Sequence, residues 1–273
     1  MYRAYFGLNE LPFSITPDTQ FAYNAVSHEE ALNTLLLALQ GGEGFVKITG
    51  EVGAGKTLLC RMLLSVLGKD RVAAYIPNPQ LEPRAMLSEV AEELGAGAGN
   101  DASMLVKGIN RRVMEIAAQG KTAVLCIDEA QTMPHLTLQT LRMLSNLETE
   151  KRKLIQIVLF GQPELDDMLA EKSARQVLQR ISFHYRMSGL ARHELGIYLQ
   201  HRLRIAGHRG PSLFSQAARW ALYRHSNGVP RLVNVLAHKA LLLAFGEGAE
   251  RVGYPHVRHA MRDTESAFRR AWF

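Results

Sequence analysis

Cysteine is scarce in this chain. Among 273 residues only Cys60 and Cys126 carry thiols, and both sit in apolar surroundings. That excludes a disulfide scaffold and fits a reducing compartment. Long apolar runs are missing as well. No stretch approaches about 18 uninterrupted apolar residues, and the most apolar late segment, 232–245, is broken by Asn234, His238 and Lys239. The opening Met1-Tyr2-Arg3-Ala4-Tyr5-Phe6 has no apolar run leading to a small-residue cleavage site, unlike a secretory leader. The expectation is a cytoplasmic protein with no transmembrane segment of its own. Internal repeats and low-complexity blocks are lacking too. Seven of the ten histidines follow residue 190, yet none is spaced as a metal ligand with cysteine or another histidine.

What remains is ordinary globular material. Hydrophobic residues make up 47% and charged residues 21%, which excludes wholesale disorder and a fibrous protein. The net charge of +6 is unevenly spread. Residues 191–273 hold 13 Lys/Arg against 5 Asp/Glu, whereas residues 1–190 hold 19 against 21. A basic final third suits nucleic acid, an anionic membrane surface or an acidic partner, and equally a plain solvated face.

Apolar, β-branched runs at Phe45–Thr49, Val72–Ile76, Thr122–Ile127 and Leu154–Phe160 read as buried parallel strands, with a weaker fifth at Ser182–Met187. Helical patterns lie between them at Lys56–Leu67, Pro83–Leu94, Ser103–Gln119 and Leu136–Leu147. After Ser188 only helical patterns follow: Arg192–Ala206, Ser215–His225, Arg231–Phe245 and Pro255–Thr264. This alternation predicts an α/β domain over 1–190, a parallel sheet flanked by helices, and a small all-α lid over 191–273.

Gly50-Glu51-Val52-Gly53-Ala54-Gly55-Lys56-Thr57 matches the phosphate-loop pattern G-x-x-x-x-G-K-[ST], with a strand running in and a helix running out. The glycines let backbone N–H groups wrap phosphates, and the helix start adds positive potential. Gly50 to Leu58 is therefore the candidate nucleotide-binding segment. Lys56 would reach the β and γ phosphates of ATP, and Thr57 would hold Mg²⁺. Val124-Leu125-Cys126-Ile127-Asp128-Glu129 reads as a buried strand delivering two acids to its carboxyl end, where open parallel sheets bind ligands. Asp128 would join Thr57 at the metal, and Glu129 would deprotonate the attacking water. The strand candidate Val72–Ile76 between the two motifs suggests an extra strand separating the loop strand from the Asp128 strand.

At these residues the sequence resembles the AAA+ ATPases, over nearly its whole length. More narrowly it is similar to the ExeA type, the general secretion pathway protein A family. The segments that carry the resemblance are Tyr5-Phe6-Gly7-Leu8 with Pro12-Phe13-Ser14-Ile15-Thr16-Pro17-Asp18, the loop Gly50–Thr57, Ile127-Asp128-Glu129-Ala130-Gln131, Gln156–Leu165 and Gly228-Val229-Pro230-Arg231. ExeA-type proteins continue into a membrane helix and a peptidoglycan-binding region. A chain ending at Phe273 is closer to the MshM form of MSHA type IV pilus biogenesis, and the domain also resembles the TniB-like ATPases of transposition.

The resemblance implies Mg²⁺-dependent ATP hydrolysis by a homo-oligomer, working with pilus or secretion assembly proteins, peripheral to the inner membrane. DNA is the alternative partner. Gln162 matches the sensor-1 position, where Asn or Thr is commoner; the alternative is an amide bonded to its own turn. Arg231 matches the sensor-2 arginine, whose fork suits phosphate oxygens; the alternative is a solvent-exposed arginine. Arg180, or else Arg175, would reach a neighbouring subunit's nucleotide as an arginine finger; the alternative is an ordinary basic helix surface. Phe13, Phe21 and Tyr23 would flank the adenine or, alternatively, pack an N-terminal arm into a core. His28 would cap a helix or lie near the base. Cys60 and Cys126 read as core residues.

Overall fold

The computed structural model describes residues 2–14, 19–21, 23–148, 153–265 and 267. The five apolar runs are strands: β1 Phe45–Gly50, β2 Arg71–Ile76, β3 Thr122–Ile127, β4 Ile155–Gly161 and β5 Ile181–Met187. They form one parallel sheet in the order β2-β3-β4-β1-β5. β1 and β4 are buried along their whole length because both faces are covered, which is why they read as continuous apolar runs. β5 is an edge strand with mostly exposed side chains, hence its weaker signal. An extra strand does separate β1 from β3, but it is β4; Val72–Ile76 falls in β2 at the opposite edge.

The helices follow in chain order. They are α1 Tyr2–Tyr5, α2 Val26–Gln40, α3 Lys56–Val66, α4 Pro83–Leu94, α5 Ala102–Ala118 and α6 His135–Leu144. Then come α7 Glu164–Ala170, α8 Arg175–Leu178, α9 Arg192–Ile205, α10 Gln216–Ser226, α11 Pro230–Gly246 and α12 Tyr254–Arg262. Their ends have local causes. α4 opens on Pro83 and stops at Gly95 in the left-handed region. Asp101 caps α5 by accepting from the Met104 N–H at 2.8 Å, and Ser215 caps α10 by accepting from the Ala218 N–H at 3.1 Å. Among the described residues no helix is long and apolar enough to cross a membrane.

The chain divides into two units, one built on the sheet and one of helices. The sheet unit takes residues 28–50 and 55–187. It has one apolar cluster built on β3, β4, α4, α5 and α6, and a second around α2, α3, Val46 and Ile48. One of its central strands holds a buried cation, Lys47, paired with the Asp166 carboxylate of α7.

The helical unit takes residues 1–27, 51–54 and 188–273, so both ends of the chain build it. Its core combines Tyr2, Phe6, Phe13 and Phe21 with apolar residues of α9 to α12. Phe13 is 1% exposed and meets Phe214 edge-on at 5.7 Å. Tyr23 meets Tyr198 edge-on at 5.6 Å. Phe13 and Phe21 are thus core residues of the arm and not a platform for a purine, because burial leaves neither ring a face to offer. Residues 15–18 of the opening motif lie outside the described residues.

Arg202 tethers the arm. Its guanidinium donates to the Pro12 carbonyl at 2.6 Å and to the Ser14 carbonyl at 3.4 Å, and it lies over the Phe21 ring at 4.8 Å. Arg202→Ala leaves those carbonyls without their donor and is expected to lower stability by about 3 kcal/mol. Chemical denaturation measures this, and protease cleavage within the first 25 residues should accelerate in parallel.

Candidate nucleotide site

β1 ends at Gly50 and the chain turns into α3 at Lys56. The turn demands glycine at position 55. Its φ is +100°, and a Cβ there would lie 2.2 Å from Nε2 of His28, which packs on that α-carbon. Lys56 is 5% exposed, and its ammonium donates to the Gly50 carbonyl at 2.8 Å, closing the loop on its own base. At the tip Glu51 and Val52 are exposed and Ala54 is buried, its N–H donating to the Glu51 carbonyl at 3.0 Å. Thr57 is exposed and Leu58 half-buried in the first turn of α3.

β3 delivers the acids. Asp128 is 3% exposed. Its Oδ2 accepts from the Thr57 hydroxyl at 2.7 Å and its Oδ1 from the Glu129 N–H at 2.9 Å. Glu129 has φ +50°, a left-handed conformation rare for a residue with a side chain. Such a conformation costs on the order of 1–3 kcal/mol and gathers at functional sites. Two amides hold its carboxylate. Gln131 Nε2 donates to Oε2 at 2.6 Å and Gln162 Nε2 donates to the same oxygen at 3.0 Å. Gln131 Oε1 in turn accepts from the Gln162 N–H at 3.0 Å, closing a ring of three residues. Burial pushes the Glu129 carboxyl up, but the Gln131 and Gln162 hydrogen bonds and the Lys56 charge together hold it below the ordinary carboxylate value. Beside Asp128, the Tyr75 hydroxyl is pushed up to about 12 by burial and the Asp128 charge.

Glu129 and Gln162 therefore meet directly, and Thr57 meets Asp128. Sequence reasoning missed the part Gln131 plays; its signal is an amide two residues after the acid. Arg180 is half-buried and donates from Nη1 to the Ser145 hydroxyl at 3.1 Å, while Arg175 is exposed. Arg231 is exposed in the first turn of α11. Within the helical unit it lies against the loop tip. Its N–H donates to the Gly53 carbonyl at 3.4 Å, and a Cβ on Gly53 would come within 2.3 Å of the Arg231 Cβ. The hydrogen bond to Cys126 and burial push the Cys60 thiol far up, so it is no nucleophile.

The donor set suits Mg²⁺. A hydroxyl and a carboxylate in mutual contact are hard oxygen ligands, and Mg²⁺ in phosphate sites takes one or two protein oxygens beside phosphates and waters. Groups of three or more His, Cys, Asp or Glu able to hold a metal are absent among the described residues, and such a site needs none.

Comparison with known proteins agrees with this geometry. Residues 39–169 match the AAA domain family. Over 254 residues the chain is 41% identical to general secretion pathway protein A of Aeromonas hydrophila, covering 92% of this chain and 46% of that protein. The chain thus spans under half the length of that curated relative. Among solved structures, ORC2 of Aeropyrum pernix superposes with a TM-score of 0.60 at 20% identity, covering 92% of this chain and 72% of that one. Cdc6p of Pyrobaculum aerophilum gives 0.63 at 17%, covering 92% and 70%. The RuvB branch-migration motor of Thermotoga maritima gives 0.56 at 16%, covering 90% and 73%. At such identities these three speak for the fold. Residues 39–169 therefore match an AAA domain, and over 92% of its length the chain is similar to general secretion pathway protein A.

Proposed function

We propose that this protein binds ATP with Mg²⁺ at Gly50–Leu58 and hydrolyses it. The observation that carries the reading is the Glu129 carboxylate, held ionised by Gln131 and Gln162 one residue beyond the Thr57–Asp128 pair. Loop N–H groups and Lys56 bind the β and γ phosphates, Lys56 leaving the Gly50 carbonyl to do so. Thr57 and Asp128 hold Mg²⁺, which neutralises phosphate charge when bound. Glu129 takes a proton from water as its oxygen bonds to the γ phosphorus. The bond to the β–γ bridging oxygen breaks, and ADP leaves with that electron pair. Gln162 orients Glu129 and the water. Arg231 pairs with the γ phosphate, and an arginine from a neighbouring copy, Arg180 or the more exposed Arg175, completes the charge balance in a homo-oligomer.

The ionised base gives a pH prediction. Turnover needs Glu129 deprotonated, so activity falls as pH drops through its depressed pKa. Gln162→Ala removes one hydrogen bond that favours the ion while burial stays. The pKa then rises, and the acid limb of the kcat profile moves to higher pH. A limb that stays in place in Gln162→Ala denies Gln162 this role.

The similarity to general secretion pathway protein A supports a reading of the downstream task. In this reading the ATPase supports assembly of a secretion apparatus or an MSHA-like type IV pilus, from the cytoplasmic side of the inner membrane and through partner proteins. The basic charge of residues 191–273 favours a second reading, a DNA-dependent ATPase of a TniB-like transposition system. ATP hydrolysis with and without duplex DNA separates them. Stimulation that fades as salt rises supports the second, since phosphate contacts weaken with salt. Turnover indifferent to DNA supports the first.

A further inference from the structure

The helical unit contains a cavity of about 270 Å³ between the first turns of α9 and α10, lined by Arg192, His193, Gly196, Gln216, Arg219 and Trp220. Among the described residues no carboxylate lines it. The one acid in that turn of α9, Glu194, is turned away, its two oxygens accepting from the Val26 and Ala191 N–H groups at 3.0 and 2.7 Å. Two arginines therefore line the cavity with no acidic residue among its walls. Arg219 is half-buried, and its Nε has no hydrogen-bond partner among the described residues. Gly196 makes the floor. A Cβ there would sit 3.2 Å from Arg219 Nη1, so the absent side chain is what gives the guanidinium its place. Trp220 is a fixed wall, packed against the Arg224 guanidinium at 5.3 Å and the Tyr254 ring at 6.5 Å.

We propose that this cavity binds the phosphate group of an organic phosphate ester. Two guanidiniums match a phosphate dianion in charge, and their forks match its oxygens, whereas a carboxylate would leave one cation uncompensated. The amide of Gln216 and the ring of His193 supply further polar contacts. Size argues for an ester over a bare ion. The volume of about 270 Å³ is more than phosphate alone fills, and Trp220 is among the residues that line it. The positive end of α10 adds to the same field. The cavity shares no residue with the nucleotide loop, so its occupancy is separable from ATP turnover.

The test reads Trp220 fluorescence in a Trp272→Phe background, leaving one tryptophan. Glycerol 3-phosphate, inorganic phosphate, and vesicles of phosphatidic acid or phosphatidylcholine are titrated at millimolar concentration. A saturable change with glycerol 3-phosphate is expected, tighter than with inorganic phosphate and weakened tenfold or more by Arg219→Ala. Gly196→Leu keeps both arginines and a good helix former while filling the floor. It should melt like the parent and show no saturable change, which guards against misfolding of Arg219→Ala. A response to phosphatidic acid vesicles alone identifies a lipid headgroup as the source of the ester; a response to glycerol 3-phosphate identifies a soluble one. The proposal is overturned by no saturable change with any phosphate, by inorganic phosphate binding at least as tightly as glycerol 3-phosphate, or by unaltered binding in Gly196→Leu.

Discussion

Glu129→Gln should bind ATP and scarcely turn it over, with kcat lowered by about 10²–10⁴-fold, the usual contribution of a general base. The substitution keeps the size and one acceptor oxygen, so the partner amides of Gln131 and Gln162 retain something to donate to. The proton acceptor alone is lost. The backbone at 129 already occupies its left-handed conformation, and glutamine meets the same strain as glutamate, so folding is little changed. Nucleotide affinity by equilibrium titration should stay within a few-fold of the parent, while phosphate release in a single turnover collapses. Near-normal release from this variant would remove Glu129 from the mechanism.

Lys56→Ala should fail earlier, at binding. The ammonium is buried at the base of the loop and held by the Gly50 carbonyl, which it exchanges for phosphate oxygens when ATP binds. Its loss removes the cation facing the β and γ phosphates and should cost about 10²–10³-fold in kcat, comparable to losing one fixed donor to a transition-state charge. KM for ATP should rise as well, because the same charge holds the ground state. The two variants thus separate binding from chemistry: Lys56→Ala moves KM and kcat together, Glu129→Gln moves kcat alone.

Much of the site was legible because its signals are local. The loop pattern fixes residues 50–57 within one strand–turn–helix, and an apolar strand ending in Asp128-Glu129 needs no long-range information. Sheet order was less legible. Ile155–Gly161 follows Asp128 in sequence yet lies between the loop strand and the Asp128 strand in space, and strand order is set by how helices cross the sheet. Short α7 and α8, with seven and four residues, carry too few turns to show a period. For α2 the sequence marked only a start, at His28, because its leucines spread around the helix and blur the buried stripe of Ala31, Leu35, Ala38 and Leu39. At Phe13 and Phe21 chemistry alone left two readings standing, since a ring that suits a purine also suits a core, and burial decides for the core. The Gln131–Gln162 link and the Arg180–Ser145 contact join residues 31 and 35 positions apart, and a single sequence gives no pairing rule for them.

The measurement that bears most directly on ATP hydrolysis at this site is phosphate release by the purified full chain. Parent, Lys56→Ala and Glu129→Gln are run side by side, each with and without Mg²⁺. Release by the parent should depend on Mg²⁺. Lys56→Ala should bind ATP more weakly and release phosphate far more slowly than the parent, and Glu129→Gln should bind like the parent and scarcely release phosphate. Equal release by all three, or release indifferent to Mg²⁺, would contradict the mechanism.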